Sequence, residues 1–483
     1  MERRHFMAKL AGLGILSGVD PYNMISQTAA SDNYTIEQFE EKGLAHYSYA
    51  VVAGKKMIVI DPQRDPRAYY NFAIKNNAVI VGIIETHPHA DFVSAHLEMQ
   101  KKLDVPIYAS SLTKPQYRAT SFDDGKFIPL TPQVALRSMY TPGHAPDHIS
   151  AVLVDTGKDI AVFCGDSLLI GDVGRPDLRD FSKDVQAQRE RLAEMMYDTL
   201  HQKFAKLDEN VIVYPAHGAG SLCGKSIRKA ASSTIGYEKQ HNYAFEKRTK
   251  QQFVSLLLAD QPFIPKYFPF DVKLNMQGAP ELATSLSRIK HFTKNHQPKP
   301  HDLIIDTRLA ANFKASHLPN AINIQGAGAF ETWLGTLVAP DTEFYVTGTD
   351  QTNLEMAIKK CAAIGYEARI KGAFIYDATD GVKSEPFDAN KFNASDDSYT
   401  ILDVRTEKEV KQNPAFGNSI HIPLQDLSDR LSEVPTNKPI LVHCASGYRS
   451  AAASSILQKS LPKATIYDLG AAIGQYLNSG SQK

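Results

Sequence analysis

Two groups of residues in this 483-residue chain could do chemistry. The first is rich in imidazole and carboxylate. It comprises Thr86-His87-Pro88-His89-Ala90-Asp91-Phe92, Pro142-Gly143-His144, Cys164-Gly165-Asp166 and Pro215-Ala216-His217. Such side chains are the usual donors for zinc, iron and manganese. A lone histidine is more often a surface or satisfied core residue. Four such segments, each after an apolar run or a tight turn, point instead to a metal site. The second group is His443-Cys444-Ala445-Ser446-Gly447-Tyr448-Arg449-Ser450. Here a cysteine follows an apolar run and precedes a helical stretch. Backbone N–H groups and a helix N-terminus at such a turn lower a thiol pKa and hold an anion. Gly447 lets the loop Ala445-Ser446-Gly447-Tyr448 close, and Arg449 adds positive charge. A thiolate so placed can attack a sulfane sulfur and store it as a persulfide. A phosphate would suit a similar loop, but the spacing from Cys444 to Arg449 is shorter than in phosphatases of that kind, which favours sulfur.

These residues must be positioned by buried strands. The runs Met57–Asp61, Val79–Ile84, Asp159–Phe163 and Val211–Tyr214 read as strands, and each ends beside a His or Asp. Ser182 to Phe204 reads as a surface helix. A linker-like stretch near Asp260 to Pro269 follows, and then the chain repeats itself. Leu303-Ile304-Ile305-Asp306-Thr307-Arg308 has a counterpart in Thr400-Ile401-Leu402-Asp403-Val404-Arg405. In both copies a second short strand follows, and then a further apolar run, Phe344–Val346 or Ile440–Val442. Two similar α/β modules are the simple inference.

The order HxHxD, His, Asp, His resembles the metallo-β-lactamase fold. Hydrolases of that fold usually carry HxHxDH and two metals. Here the last position is Phe92, which cannot coordinate, so a dinuclear zinc hydrolase loses a ligand. The remaining His87, His144 and Asp166 match the two-His, one-carboxylate triad of non-haem Fe(II) oxygenases. The chain is similar in this respect to persulfide (sulfur) dioxygenases. That resemblance implies one Fe(II) per chain, with zinc as the alternative metal. It implies that His89, Asp91 and His217 orient the ligands, and that Arg175, with Asp177, faces the persulfide as an anion clamp. The module around Asp403-Val404-Arg405 and Cys444 resembles rhodanese, a sulfurtransferase, with Cys444 and Arg449 as its catalytic residues. The first copy matches at Asp306-Thr307-Arg308, but its loop, Thr347-Gly348-Thr349-Asp350, has no cysteine, so it reads as a degenerate module.

The expected fold is therefore an α/β multidomain chain: an αββα sandwich over 32–270, a degenerate rhodanese-like module over 275–385 and a catalytic one over 390–483. The function implied is oxidation of a small thiol persulfide by O2 to sulfite, with Cys444 passing sulfane sulfur onto sulfite to give thiosulfate, a detoxification of sulfide and persulfide. The alternative is a zinc thioester or lactone hydrolase of the glyoxalase II kind with an attached rhodanese. Cys164 and Cys361 read as packing. Cys223 reads as structural, with a persulfide-holding thiol near the metal as the minority reading.

Composition narrows the partners. Lys plus Arg and Asp plus Glu are each 53, so the net charge is zero and nothing suggests a nucleic-acid partner. Four cysteines make no disulfide scaffold. No run approaches the ~18 apolar residues of a spanning helix, so no membrane partner is expected. Residues 1–31, with Arg3-Arg4 before a mild apolar run, resemble a twin-arginine export signal, which implies a periplasmic protein and otherwise a cytoplasmic one. Such families are commonly homo-oligomers, and the sequence sets no oligomeric state.

Overall fold

The computed structural model describes residues 27–176, 184–393 and 397–477. Asp177 and the Arg3-Arg4 segment lie outside the described residues. The chain divides into two compact units, the first running to Thr284 and taking in Ala363–Gly365, the second comprising Ser285–Ala362 and the chain from Tyr366 on.

The first unit is built on two sheets. One has seven strands in sequence order: Gln27–Ala30, Thr35–Glu41, His46–Ala53, Lys56–Ile60, Val79–Ile84, Ile107–Ala109 and Ala119–Ser121. The other has six, in the order Ser233–Thr234, Ile212–Pro215, Lys158–Gly165, Ile149–Asp155, Val134–Tyr140 and Phe127–Pro129. The apolar runs explain why the sheets are covered on both faces. Side chains alternate along a strand, and here both faces are apolar. Val51, Ile58 and Ile60 point into a core shared with Leu136, Ala151, Leu153 and Phe163 of the other sheet. Their neighbours Ala50, Val52, Met57 and Val59 point outward, onto Tyr69, Phe72 and Met99 of helices Arg67–Lys75 and His96–Leu103. Val152, Val162 and Val213 likewise meet Met196, Leu200, Phe253 and Leu257 of helices Val185–Gln202 and Lys250–Leu258. The result is the expected αββα sandwich.

Two boundaries differ from the sequence reading. Gln27–Ala30 pairs antiparallel with Ala30↔Thr35 to Gln27↔Gln38, so the ladder begins before residue 32. Helix Phe268–Gln277 belongs to the first unit, which passes residue 270 because Asn275 of that helix is tied to the metal-site loop.

The second unit carries two four-stranded parallel sheets of one design. The first has the order Ala321–Asn323, Leu303–Asp306, Phe344–Gly348, Ile370–Ile375, and the second Ile420–His421, Thr400–Asp403, Ile440–His443, Ile466–Asp468. In each, an Asp-X-Arg sequence ends the central strand in a buried two-pronged ion pair. Arg308 Nε donates to both oxygens of Asp306 at 2.9 and 3.1 Å, and Arg405 Nε to those of Asp403 at 2.9 and 3.0 Å. No helix among the described residues is long and apolar enough to cross a membrane.

Candidate metal centre and cysteine loop

The loop after strand Val79–Ile84 carries His87 and His89. Two hydrogen bonds fix the tautomer of neutral His87. Thr86 Oγ1 donates to Asp61 Oδ2 at 2.8 Å, so at 3.0 Å it accepts from His87 Nδ1, which in the neutral imidazole leaves Nε2 as a lone pair. His144 Nδ1 donates to the Arg175 carbonyl at 2.7 Å, which leaves its Nε2 unprotonated too. Both Nε2 atoms face Asp166 Oδ2, at 3.8 Å from His87 and 3.6 Å from His144. These separations exceed hydrogen-bonding distance. Asp166 Oδ2 is buried and has no hydrogen-bond partner among the described residues. Two nitrogen lone pairs aimed at a carboxylate oxygen repel unless a cation lies between them. Ligand bonds of about 2.0–2.2 Å to one ion would span these gaps. Among the described residues, His87, His89 and Asp166 form a group whose donor atoms fit a metal, and His144 Nε2 faces the same carboxylate oxygen. One nitrogen of His89 also lies within 4.8 Å of the donor atoms of His87 and Asp166.

Two glycines make this arrangement possible. At Gly165, with φ +50°, a Cβ would fall 2.4 Å from His148 Nε2, the atom that accepts from the Asp166 N–H at 3.1 Å. This gives His148 its place, holding the Asp166 backbone. At Gly174 a Cβ would fall 2.0 Å from the Asp166 carbonyl and 2.9 Å from His144 Nδ1, so only glycine lets the Arg175 carbonyl reach His144.

His217 does something different. Its Nδ1 lies 2.6 Å from Asp166 Oδ1 and its Nε2 2.7 Å from Asp91 Oδ2. Both nitrogens are held by carboxylates. Burial opposes a charge there, but Asp166 and Asp91 outweigh it and raise the imidazole pKa well above its ordinary value. Burial likewise opposes charge on Asp166, and the His217 ring and the other histidines outweigh it, holding the carboxyl well below the usual range. The resulting Asp–His–Asp chain orients Asp166 as a supporting group should.

Phe92 occupies the position of the missing ligand. It is buried, with its ring 4.4 Å from His89 and stacked on His46 at 3.7 Å between centroids. Sequence reading missed His46. It starts strand His46–Ala53, is fully buried, and both ring nitrogens lack hydrogen-bond partners among the described residues. Burial, then the neighbouring His217 and His89, push its pKa down, so it is neutral. Its one sequence signal is a histidine at the head of an otherwise apolar strand. Asn275 was missed as well. Its side-chain amide donates to the carbonyls of His89 and Phe92 at 2.8 and 2.7 Å, and its oxygen accepts from the Ser94 N–H. Cys223 is drawn into the site, with Sγ within 4.8 Å of the Asp166 and His217 donor atoms. Burial, then the Asp91 and Asp166 charges, push its thiol up to about 12.

Arg175 is tied into the protein at both its side chain and its carbonyl. Its guanidinium is buried, donates to the Pro262 and Phe263 carbonyls at 3.0 and 3.1 Å, and lies over the Phe268 ring. Its side chain binds the protein's own backbone, and its carbonyl accepts from His144 Nδ1.

In the second unit, Cys444 is buried at the end of strand Ile440–His443, and Gly447 caps helix Tyr448–Ser460 with φ +104°. The Gly447 N–H donates to Cys444 Sγ at 3.1 Å, and Ser450 Oγ lies 3.7 Å from the sulfur. Ala445 and Tyr448 are half-buried, and Ser446 is exposed. The loop therefore holds sulfur mainly through backbone. Arg449 has a partner that the sequence did not reveal. It grips Glu409 with two hydrogen bonds of 2.6 Å, so its charge is largely neutralised within the protein. In the first module, strand register places Thr347 opposite Asp306 as His443 is opposite Asp403. Gly348 thus stands at the cysteine position, and Asp350 Oδ1 caps the following helix by accepting from Asn353 N at 2.9 Å.

Comparison with known proteins agrees with this architecture. The Metallo-beta-lactamase superfamily model matches residues 42–217, and the Rhodanese-like domain model matches residues 388–472 only, leaving the first module unmatched. The hydroxyacylglutathione hydrolase of Francisella tularensis subsp. novicida (strain U112) is 33% identical over 236 residues, covering 47% of this chain and 80% of that protein. The hydroxyacylglutathione hydrolase of Neisseria meningitidis serogroup A is 28% identical over 179 residues, 36% of this chain and 62% of that relative. The crystal structure of a metallo-beta-lactamase from Staphylococcus aureus subsp. aureus COL superposes with TM-score 0.63 at 28% identity, covering 71% of this chain and 99% of that one. The buried His/Asp metal site and the fused rhodanese-like domain mark an enzyme, and the chain belongs to the metallo-beta-lactamase superfamily.

Proposed function

We propose that the first unit is a mononuclear Fe(II) persulfide dioxygenase and that the module around Cys444 is its sulfurtransferase partner. The observation that carries this reading is the clamping of His217 between Asp166 and Asp91 beside Phe92. It supports a reading in which His87, His144 and Asp166 hold one ion while His217 and Asp91 orient Asp166, although the donor atoms of His89, Asp91 and His217 also lie within 4.8 Å of one another. Iron bound there supplies the redox chemistry with O2. The chain's own groups prepare the site. Thr86 and the Arg175 carbonyl fix the two imidazole tautomers, and His217 and His148 hold Asp166 from both sides. The overall reaction is RSSH + O2 + H2O → RSH + SO3²⁻ + 2H⁺. At Cys444 the thiolate attacks the sulfane sulfur of a second persulfide, the S–S bond breaks and RS⁻ leaves. Sulfite then takes that sulfur, giving thiosulfate and restoring the thiolate. The Gly447 N–H stabilises the sulfur anion in both states. Export through the Arg3-Arg4 segment is part of the same proposal.

A second reading, a zinc thioester hydrolase, draws support from the names of the curated relatives. The experiment that separates them supplies the Fe(II)- and Zn(II)-loaded protein with a small-thiol persulfide or with a glutathione thioester. Dioxygenase activity predicts persulfide consumption with sulfite and thiosulfate as products, and Cys444→Ser turns the product from thiosulfate to sulfite. Thioester hydrolysis by the zinc form, with persulfide left intact by both, would transfer the assignment to the hydrolase.

A further inference from the structure

We infer that the cysteine-less module is a positioning element for the sulfur-carrying loop of its neighbour within the second unit. This rests on the reading of Cys444 as a sulfur carrier. Two separate threads run from the first module to the two sides of that loop. On one side, Tyr448 Oη donates to the Gln325 carbonyl at 2.8 Å. Gln325 is itself anchored in the first module, since its side-chain oxygen accepts from Ala310 N at 3.1 Å. The next residue, Gly326, donates its N–H to the Thr307 carbonyl at 2.9 Å. The loop is therefore fixed just beyond the strand that ends in the Asp306–Arg308 pair. At Gly328, with φ +69°, the Tyr448 ring is the nearest neighbour of the open Cβ direction, at 3.7 Å.

On the other side, Lys314 Nζ of the first module pairs with Asp468 Oδ2 at 2.7 Å. Asp468 Oδ1 in turn accepts from Gly470 N at 2.9 Å. Gly447 packs directly on this turn. A Cβ on it would meet Gly470 C and Ala471 N at 3.0 Å. Gly447 is the residue whose N–H points at Cys444 Sγ. The two threads thus grip adjacent residues, Gly447 and Tyr448, and fix the direction of the Gly447 N–H on the sulfur. A degenerate module that had become only a spacer would have no need to hold both.

Tyr448 and Lys314 are positioning residues in this account. The test measures alkylation of Cys444 by iodoacetamide across pH in the full chain, alongside sulfur transfer from thiosulfate to cyanide. Tyr448→Phe keeps the ring and removes the hydroxyl, and Lys314→Gln removes the ion pair. Each is expected to raise the pH midpoint of Cys444 alkylation by about one unit, the effect of weakening one hydrogen bond to the anion. Each should also lower kcat roughly tenfold with KM unchanged, and Lys314→Arg should restore both. If Tyr448→Phe does not fold, Lys314→Gln decides. A wild-type alkylation profile in the folded variants overturns the inference. Shifted alkylation with no sulfur transfer even in the unaltered protein would uphold the brace and remove the sulfurtransferase reading instead.

Discussion

The two reactive centres are built on opposite principles. At the metal centre, His87, His144 and Asp166 arrive from separate loops, and the groups that orient them are charges and carbonyls far away in sequence. At Cys444 a single loop of consecutive residues does the work, and the main donor to sulfur is a backbone N–H. The difference teaches where each chemistry is fragile. A metal site fails when any one of several distant residues is lost. The cysteine loop, held mainly by backbone, depends instead on backbone direction. The first module of the second unit shows this from the other side. It keeps the sheet order and the Asp-X-Arg pair, yet with Gly348 and Asp350 in its loop it has no sulfur chemistry to offer.

The sharpest way to break this contrast is a double dissociation. His144→Ala should lower persulfide-dependent O2 uptake by at least about 10³-fold, following loss of metal, while thiosulfate-to-cyanide transfer is retained. Cys444→Ser should do the reverse, and steady-state assays of both activities check it. Loss of both in either variant would mean that the two centres are not separate. Next in size is the shared scaffold. Arg405→Ala leaves Asp403 as a buried, unpaired charge and should cost about 3–5 kcal/mol, with Arg308→Ala similar, both read from denaturant unfolding. A much smaller effect at Arg308 would show that the first module no longer depends on its inherited pair.

A third test uses pH. Burial opposes ionisation of Glu409, but Arg449 outweighs it and holds the carboxyl at about 2. A carboxylate with a depressed folded pKa stabilises above its unfolded pKa, near 4.5, and loses that contribution as pH falls toward 2. The side chain is partly solvent-exposed, so screening limits the effect to about 1 kcal/mol. Glu409→Gln should flatten the fall in Tm across this window. The smallest effect is expected at the degenerate loop, where Asp350→Ala removes a helix cap worth about 1 kcal/mol. Thermal melts can detect it, and no activity should change.

Much of this was legible in the sequence, for physical reasons. His87 and Asp166, two of the candidate donors, stand just beyond apolar runs that became the strands Val79–Ile84 and Lys158–Gly165. Cys444 stands between a buried strand and a helix, where the chain has few conformations to choose from. What was not legible lies in contacts between distant segments. Asn275 holds the His89 loop across 186 residues, and nothing near Asn275 announces it. Arg175 was read by its charge, and the contact of its carbonyl with His144 was not foreseen. Arg449 was read as a charge for the loop, yet Glu409, 40 residues earlier, takes that charge. Spacing reveals which groups a turn presents, whereas the partner that neutralises a charge is chosen by tertiary packing.

The central claim concerns the single ion beside Phe92. The most direct measurement determines metal content and O2 uptake on one preparation of the full chain given a small-thiol persulfide. About one iron per chain, with O2 consumed only when persulfide is present, is the result this account predicts. Two zinc ions per chain and no O2 uptake would contradict it.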